Sequence, residues 1–373
     1  MSISRRRASR RAVLRYAGLG GFGLLAAYLV GCGDGAQRQL TPTPAPSTSS
    51  MTPPPQATPA PTMPTTSTAL RWRLLSPPGP LPPPRRDHSV VTDGQRHFVF
   101  GGRAQTVLGD LWSYAASDGT WSEISAADGP PARFGHNSVF DAALGRVLVF
   151  GGQAGSIFFN DVWAFDVDTG EWAQLQGGES GPSPRYGAAA ALDLSGRFFV
   201  SHGFTDAGRF DDTWEFGLEQ GAWADVSPEG ERPVERCLMR AVWDSGAGRL
   251  LMFGGQTTGT PFLGDLWEFG EEGWRELTAD PRPSPRNFYA MAFKDGGQVV
   301  LFGGNTQDGP VDDLWLFDSA SNRWSQQSAD SEGPSPRFGH DAAWLQARRS
   351  LFVFGGNDGS RDLNDSWELS LPT

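Results

Sequence analysis

The sequence predicts an all-β protein in which six similar units close into a ring. From residue 70 onward the same marks recur at steps of 49 to 52 residues. In five of the six units an apolar strand runs into a glycine pair, and two series of tryptophans pass through the units. Long helical periodicity is absent from this region, and a repeat of this length is typical of proteins that stack or close similar units.

Each unit carries three marks in the same order. The first is an arginine at the end of a turn, and these arginines are Arg85, Arg133, Arg185, Arg236, Arg286 and Arg337. The second is a strand such as RVLVF (146–150) followed by Gly-Gly, where a tight backbone turn favours residues without a Cβ. The glycine pairs begin at Gly101, Gly151, Gly254, Gly303 and Gly355, and Ser201-His202-Gly203 replaces the pair in the third unit. The third mark is Asp-x-Trp, with aspartates at Asp110, Asp161, Asp212, Asp265, Asp313 and Asp365.

The tryptophans indicate how the ring closes. The first series is Trp112, Trp163, Trp214, Trp267, Trp315 and Trp367, and the second is Trp121, Trp172, Trp223, Trp274 and Trp324. The second series has one member fewer, while Trp72 precedes the first unit. We therefore expect an N-terminal strand near Trp72 to complete the last unit, which removes two exposed strand edges. Trp243 and Trp344 belong to neither series.

These marks resemble the kelch repeat, and the resemblance covers residues 70–373. It implies a six-bladed β-propeller of four-stranded antiparallel blades, occupying residues 69–373. In kelch-like propellers the loop after Gly-Gly and the loop that leads to the next inner strand share one face. Because loops on a rigid scaffold commonly carry function, this loop face is the expected location of binding residues.

The N-terminal residues resemble a targeting signal. Residues 1–31 join a basic segment to an apolar run of 15 residues, Tyr16–Val30, which is short for a membrane span. Arg10-Arg11 resembles a twin-arginine export signal, and the residues ending at Cys32 resemble a bacterial lipobox with Cys32 as the acylated residue. An uncleaved anchor helix is the alternative. Residues 32–68 are rich in Pro, Thr and Ser and predict a disordered stalk.

Composition excludes several classes of function. Six of the 31 basic residues lie in residues 1–31, which contain no acidic residue, so the rest carries 25 basic against 42 acidic residues. So acidic a body lacks the basic surface of a nucleic-acid-binding protein. Only two cysteines are present, which excludes a disulfide framework. No phosphate-loop, zinc-protease or serine-hydrolase motif occurs, so we expect no cofactor and assign no catalytic residue.

The repeated arginines and aspartates are interpreted as structural residues. A residue that is present in every unit is expected to stabilise the fold of the repeat. His88, His136 and His340 each follow the repeated arginine by three residues, in three units that are neighbours in the closed ring. Three histidines resemble a metal-ligand set, but we expect packed histidines and no metal.

Variation between the units supplies the candidate site residues. The loop-face binding candidates are Arg103, Phe158, Phe159, His202, Phe204, Arg209, Phe262 and Arg361. The candidates for a central channel are His88, His136, Arg240, Asn287, His340 and Asp341. Whether the loop aromatics fold back onto the blades or form an exposed contact patch stays open at this point.

The sequence favours a lipid-anchored binding module on the outer side of the bacterial cell membrane. We expect it to be a monomer that recognises a protein or glycan through the loop face and meets the membrane only through its anchor. One alternative is a carbohydrate-active enzyme, mutarotase-like or oxidase-like, with its site in the central channel. Another is a passive structural lipoprotein of the envelope. Fold class alone does not decide among them.

Overall fold

Each repeat folds as one four-stranded antiparallel sheet, in a computed structural model that describes residues 70–125, 127–294 and 296–371. The apolar strand before each glycine pair becomes the second strand of its sheet. Arg146–Phe150 shows why: its last four residues are all buried, as expected of a strand covered on both faces. The signal, Cys32 and the stalk lie outside the described residues.

The strands are numbered in chain order. The closing strand is β1 (Arg71–Leu75). Blade 1 contains β2 (Ser89–Thr92), β3 (Arg96–Phe100), β4 (Leu111–Ala115) and β5 (Thr120–Ile124). Blade 2 contains β6 (Asn137–Asp141), β7 (Arg146–Phe150), the short hairpin β8 (Gln153–Ala154) and β9 (Ile157–Phe158), then β10 (Val162–Asp166) and β11 (Trp172–Gln176). Blade 3 contains β12 (Ala189–Leu192), β13 (Arg197–Ser201), the short hairpin β14 (Phe204–Thr205) and β15 (Gly208–Arg209), then β16 (Thr213–Gly217) and β17 (Ala222–Asp225).

The remaining blades follow the same order. Blade 4 contains β18 (Arg240–Asp244), β19 (Arg249–Thr257), β20 (Thr260–Gly270) and β21 (Gly273–Leu277). Blade 5 contains β22 (Ala290–Lys294), β23 (Gln298–Thr306), β24 (Gly309–Asp318) and β25 (Arg323–Gln327). Blade 6 contains β26 (Asp341–Leu345), a 3-10 turn at Gln346–Arg348, β27 (Ser350–Asn357) and β28 (Asp362–Ser370).

The closing strand β1 completes blade 6, whose strand order is β1-β28-β27-β26. Trp72 lies opposite Leu369 in an antiparallel register. The first strand of each blade contacts the first strand of the next, and β26 contacts β2, so the ring is closed. The prediction of an all-β, six-bladed propeller with four-stranded antiparallel blades is confirmed.

Aromatic side chains join neighbouring blades. Trp172 packs on Phe100 of the preceding blade with ring centroids 5.3 Å apart, and Trp223 packs on Phe150 at the same distance. Trp72 makes the equivalent contact with Phe302 at 5.0 Å. Trp72 is therefore the missing sixth member of the second tryptophan series.

The third unit compensates for its altered glycine pair. Ser201 stands where Phe100 and Phe150 stand in blades 1 and 2, so Trp274 lacks an aromatic partner at that position. The His202 imidazole supplies one, edge-on to Trp274 at 5.8 Å, from a fully buried position. Within residues 70–371, excepting 126 and 295, no helix is long and apolar enough to cross a membrane.

Candidate functional site

The repeated arginine joins the segment before the first strand of its blade to the segment before the third strand of the same sheet. Arg133 is fully buried, and its Nη1 and Nη2 donate to Oδ1 and Oδ2 of Asp161 at 2.7 and 2.9 Å. Its Nη1 also donates to the carbonyl of Gly151 at 2.9 Å, and its Nε donates to that of Pro131 at 3.0 Å. The tryptophan of the Asp-x-Trp mark donates to the same aspartate, Trp163 Nε1 to Asp161 Oδ2 at 2.7 Å. This bidentate arrangement, in which four of the five N–H donors of the guanidinium have a protein acceptor, is structural.

The other five blades repeat this network. Their arginine–aspartate pairs are Arg85–Asp110, Arg185–Asp212, Arg236–Asp265, Arg286–Asp313 and Arg337–Asp365. Burial alone would raise the pKa of Asp110, but the Arg85 hydrogen bonds and charge, with Trp112, outweigh it and lower that pKa. The interpretation of these residues as scaffold is confirmed by their contacts.

The loop face is assembled by a backbone bridge in each blade. The residue after the repeated arginine pairs with a residue just after the glycine pair, as Phe134 does with Gln153 and Tyr186 does with Phe204. The loops that precede the inner strands and the loops that follow Gly-Gly therefore share one face, as the resemblance implies.

A closed ring of hydrogen bonds lies at the centre of this face. Six residues, each two positions after a repeated arginine, form this axial ring: Asp87, Gly135, Gly187, Leu238, Phe288 and Gly339. Each donates its N–H to the carbonyl of the ring residue in the preceding blade and accepts one from the following blade, at 2.7–3.1 Å. All six have positive φ, between 53° and 64°. Three are not glycine, so the ring outweighs the strain of that conformation in Asp87, Leu238 and Phe288.

The ring leaves little space along the axis. The cavity below it holds about 30 Å³, room for about one water molecule. Small-molecule sites have volumes of roughly 300 Å³ or more. This cavity is therefore too small to hold a sugar.

The channel candidates separate into different environments. Arg240 and Asp341 face each other, with Arg240 Nη2 3.5 Å from Asp341 Oδ1. Asp341 Oδ2 also accepts from the N–H of Val90 at 2.9 Å, and burial raises the pKa of Asp341. Asn287 lies elsewhere, because its amide donates to the Pro261 carbonyl at 3.1 Å, in the hairpin of blade 4.

The three histidines are packed between neighbouring blades, each against a phenylalanine of the preceding blade. His136 hydrogen-bonds Ser89 at 2.9 Å, and His340 Nε2 donates to the carbonyl of Phe302 at 3.1 Å. His88 packs edge-on to Phe354 at 5.4 Å. Burial lowers the pKa of all three, that of His340 to about 3. In the described part of the chain no three His, Cys, Asp or Glu residues are placed to hold a metal ion.

An apolar cluster covers the axial ring on the loop face, and we call it the cap. Its buried members are Phe134, Tyr186, Cys237 and Leu238, and its partly buried members are Val107, Phe158, Phe204 and Phe288. The Tyr186 ring lies directly over Gly135, where an added Cβ would be 2.0 Å from its Cε2. Burial raises the pKa of the Cys237 thiol, which is 1% exposed and acts as a small apolar residue.

The loop-face phenylalanines have different roles. Phe158 packs edge-on to Phe204 at 6.2 Å within the cap, and Phe262 is partly exposed. Phe159 lies instead on the guanidinium of Arg133, 4.2 Å from its Cζ. His202 is fully buried between blades and is not presented on the loop face, and burial lowers its pKa to about 3.

Arginines stand around the cap. Arg103 Nε donates to Asp87 Oδ2 at 2.7 Å, and its Cζ is 4.5 Å from the Phe134 ring. Arg209 lies over Phe204 at 5.4 Å and donates to Thr258 at 3.0 Å. Arg361 is the most open, with 78% of its side chain exposed. Arg103 and Arg361 are each paired with an acidic residue, Asp87 and Asp358. The loop face thus combines an apolar centre with arginines at its edge.

The sequence reasoning missed the centre of this surface. Tyr186, Leu238 and Phe288 were not among the candidates, although they carry the cap, and Asp87 anchors Arg103. A signal existed, because the two positions after each repeated arginine vary from unit to unit while the arginine does not.

The fold and the loop face define a closed β-propeller whose variable residues converge on one face. The chain belongs to the kelch-repeat family: the family model "KLHDC2/KLHL20/DRC7 Kelch-repeats domain" matches residues 63–247 and 223–373.

Several curated proteins are similar to this chain over most of its length. The chain is 27% identical to a leucine-zipper-like transcriptional regulator 1 homolog of Drosophila melanogaster, over 77% of this chain and 31% of that protein. It is 29% identical to Adagio-like protein 1 of Oryza sativa subsp. japonica, over 82% of this chain and 53% of that protein. It is 26% identical to host cell factor 2 of Homo sapiens, over 78% and 42%. The chain therefore spans between about a third and about half of these relatives.

Proposed function

We propose that this protein is a binding module that holds another macromolecule, in the first place a protein, on its loop face. The observation that carries the proposal is the cap: partly buried aromatic side chains collected over the axial ring and bordered by arginines. Apolar centres with aromatic and arginine anchors are where protein interfaces concentrate their binding energy.

The geometry supports a surface interaction rather than an enclosed site. The axial ring blocks entry below the cap, so a partner contacts the propeller from above. Ile157, in the hairpin beside Phe158, is 60% exposed and extends the apolar surface outward. The regions of the relatives that match this chain are parts of larger proteins, which accords with a propeller acting as a recognition unit.

We further propose that the module is exported and held at the cell membrane by a lipid on Cys32. The support comes from the sequence alone, in the arginine pair, the apolar run and the residues that end at Cys32. Labelling cells with a radioactive fatty acid tests this, since Cys32→Ala is expected to abolish labelling and to release the protein from membranes. Labelling that persists in Cys32→Ala would contradict it.

The loop-face proposal is tested by covalent cross-linking in cells followed by affinity capture of the full chain. Wild type is expected to retain a defined partner, and Ile157→Asp and Arg209→Glu are expected to lose it. The control is Leu194→Asp, which alters a side chain that is 87% exposed in the turn between β12 and β13, on the opposite face. A partner lost equally in all three variants, or retained in all, would contradict recognition through the loop face.

A further inference from the structure

A cleft between blades 3 and 4 opens on the face opposite the loop face. Its volume is about 410 Å³, within the range of small-molecule sites. Strand β13 of blade 3 contributes Arg197 and Phe199, and blade 4 contributes Trp243 and the turn at 270–273. This cleft is separate from the cap and plays no part in the loop-face proposal.

The wall of the cleft is aromatic. The rings of Phe199 and Trp243 are stacked nearly parallel, 5° apart in plane and 5.5 Å between centroids. Phe269 stands edge-on to Phe199 at 6.0 Å. Trp243 is only partly buried and belongs to neither repeated tryptophan series, so the blade scaffold does not require it.

A second site in the same chain shows what such a tryptophan attracts. Trp344 of blade 6 occupies the same repeat position as Trp243, seven residues after the repeated arginine. There the ammonium of Lys294, from blade 5, lies over the Trp344 ring at 5.7 Å. The residue of blade 3 that corresponds to Lys294 is Asp193. Blade 3 therefore supplies an acid at the register position from which blade 5 supplies a cation.

The charges at the cleft favour a cation. Glu215, Glu271 and Glu272 line it, and the last two are exposed in the turn between β20 and β21. In the ranges that the structure describes, neither Glu271 nor Glu272 has a basic side chain within ion-pair distance. The one basic residue of the wall, Arg197, pairs with Asp193, with Nε 2.7 Å from Oδ2, and its Nη1 lies 3.9 Å from Oε2 of Glu215. Its Cζ is 5.2 Å from the centroid of the Phe199 ring. The carboxylates that remain for a ligand are those of Glu271 and Glu272.

We propose that the cleft between blades 3 and 4 binds a small organic cation, an ammonium group whose apolar substituents lie against Trp243. The Trp243 ring attracts the positive charge, and the carboxylates of Glu271 and Glu272 complement it.

Calorimetric titration of the full chain with choline and tetramethylammonium tests the proposal. We expect saturable 1:1 binding that weakens with added salt. The uncharged isostere of choline, 3,3-dimethyl-1-butanol, is expected to bind roughly tenfold more weakly or not at all. Titration with 1,4-diaminobutane, a primary diamine, distinguishes a primary from a quaternary ammonium ligand.

Two variants locate the binding. Trp243→Leu is expected to weaken it by roughly tenfold or more. Glu271→Gln combined with Glu272→Gln is expected to weaken it and to reduce its salt dependence; both positions are exposed, so folding is kept. The matched control is Glu171→Gln with Glu219→Gln, which removes two exposed carboxylates from equivalent turns of blades 2 and 3.

Three results would overturn the proposal. They are the absence of saturable binding for every cation at millimolar concentration, equal binding of choline and its neutral isostere, and equal weakening by the cleft pair and the control pair of glutamates. Binding of a lysine-rich peptide without binding of any small cation would also overturn it, in favour of a protein ligand.

Discussion

Replacing Trp72 by alanine is expected to weaken the closure of the ring. Trp72 is 9% exposed, packs on Phe302 at 5.0 Å and lies against Gly333, whose added Cβ would be 2.6 Å from the indole. Its backbone N–H donates to Ser331 Oγ at 2.7 Å, which survives the substitution. A buried tryptophan of about 200 Å² is worth roughly 5 kcal/mol of transfer free energy, and Trp→Ala changes cost about 3–5 kcal/mol.

The assay is chemical unfolding of the full chain followed by circular dichroism, which gives the change in the free energy of unfolding. Leu74→Ala is the control, because Leu74 lies on the same strand and is 51% exposed, so about 0.5 kcal/mol or less is expected. If Trp72→Ala were no less stable than Leu74→Ala, strand β1 would not hold the ring closed, and the argument from tryptophan spacing would be refuted.

Three further predictions concern the blades, the axial ring and the histidines. Arg133→Met leaves its aspartate without a buried partner and is expected to cost about 3–5 kcal/mol in a thermal melt; an unchanged melt would show the pair to be dispensable. Gly135→Ala is expected to displace Tyr186 and to destabilise the protein more than Gly155→Ala, which has a similar positive φ but open space around its Cβ; equal melting temperatures would contradict the cap geometry. Burial lowers the pKa of His97 to about 3, so only the unfolded chain gains this proton as pH falls below about 6.5. His97 is therefore expected to contribute a fall of about 2 kcal/mol in native stability from pH 7 to pH 5. In denaturant unfolding at the two pH values, His97→Phe is expected to show a smaller fall than wild type, and an equal fall would contradict this.

The closing strand and the blade scaffold could be predicted from the sequence because both depend on spacing. The separation along the chain between the repeated arginine and the repeated aspartate stays between 25 and 29 residues in all six units, and a recurring separation implies a recurring contact. Trp72 was identified in the same way, because the second tryptophan series has one member fewer than the first.

The cap could not be predicted in this way. The side chains of Leu238 and Phe288 take their direction from a backbone with positive φ, which residues of these types rarely adopt. That backbone conformation is imposed by hydrogen bonds to neighbouring blades, so no local sequence pattern predicts it. His202 was misplaced for a related reason, since its role depends on Trp274, 72 residues further along the chain.

The axial ring gives the propeller a property that open hydrogen-bonded elements lack. A helix has ends, where donors and acceptors are left over and the aligned peptide dipoles add up. Six residues that each donate and accept in one rotational sense have no first or last member, so the ring leaves none of its own N–H or C=O groups without a partner at the axis. Opening any one blade interrupts the whole ring and leaves a donor and an acceptor unpaired at the axis. Although the six blades are separate sheets, the axial ring therefore couples their opening into a single cooperative step.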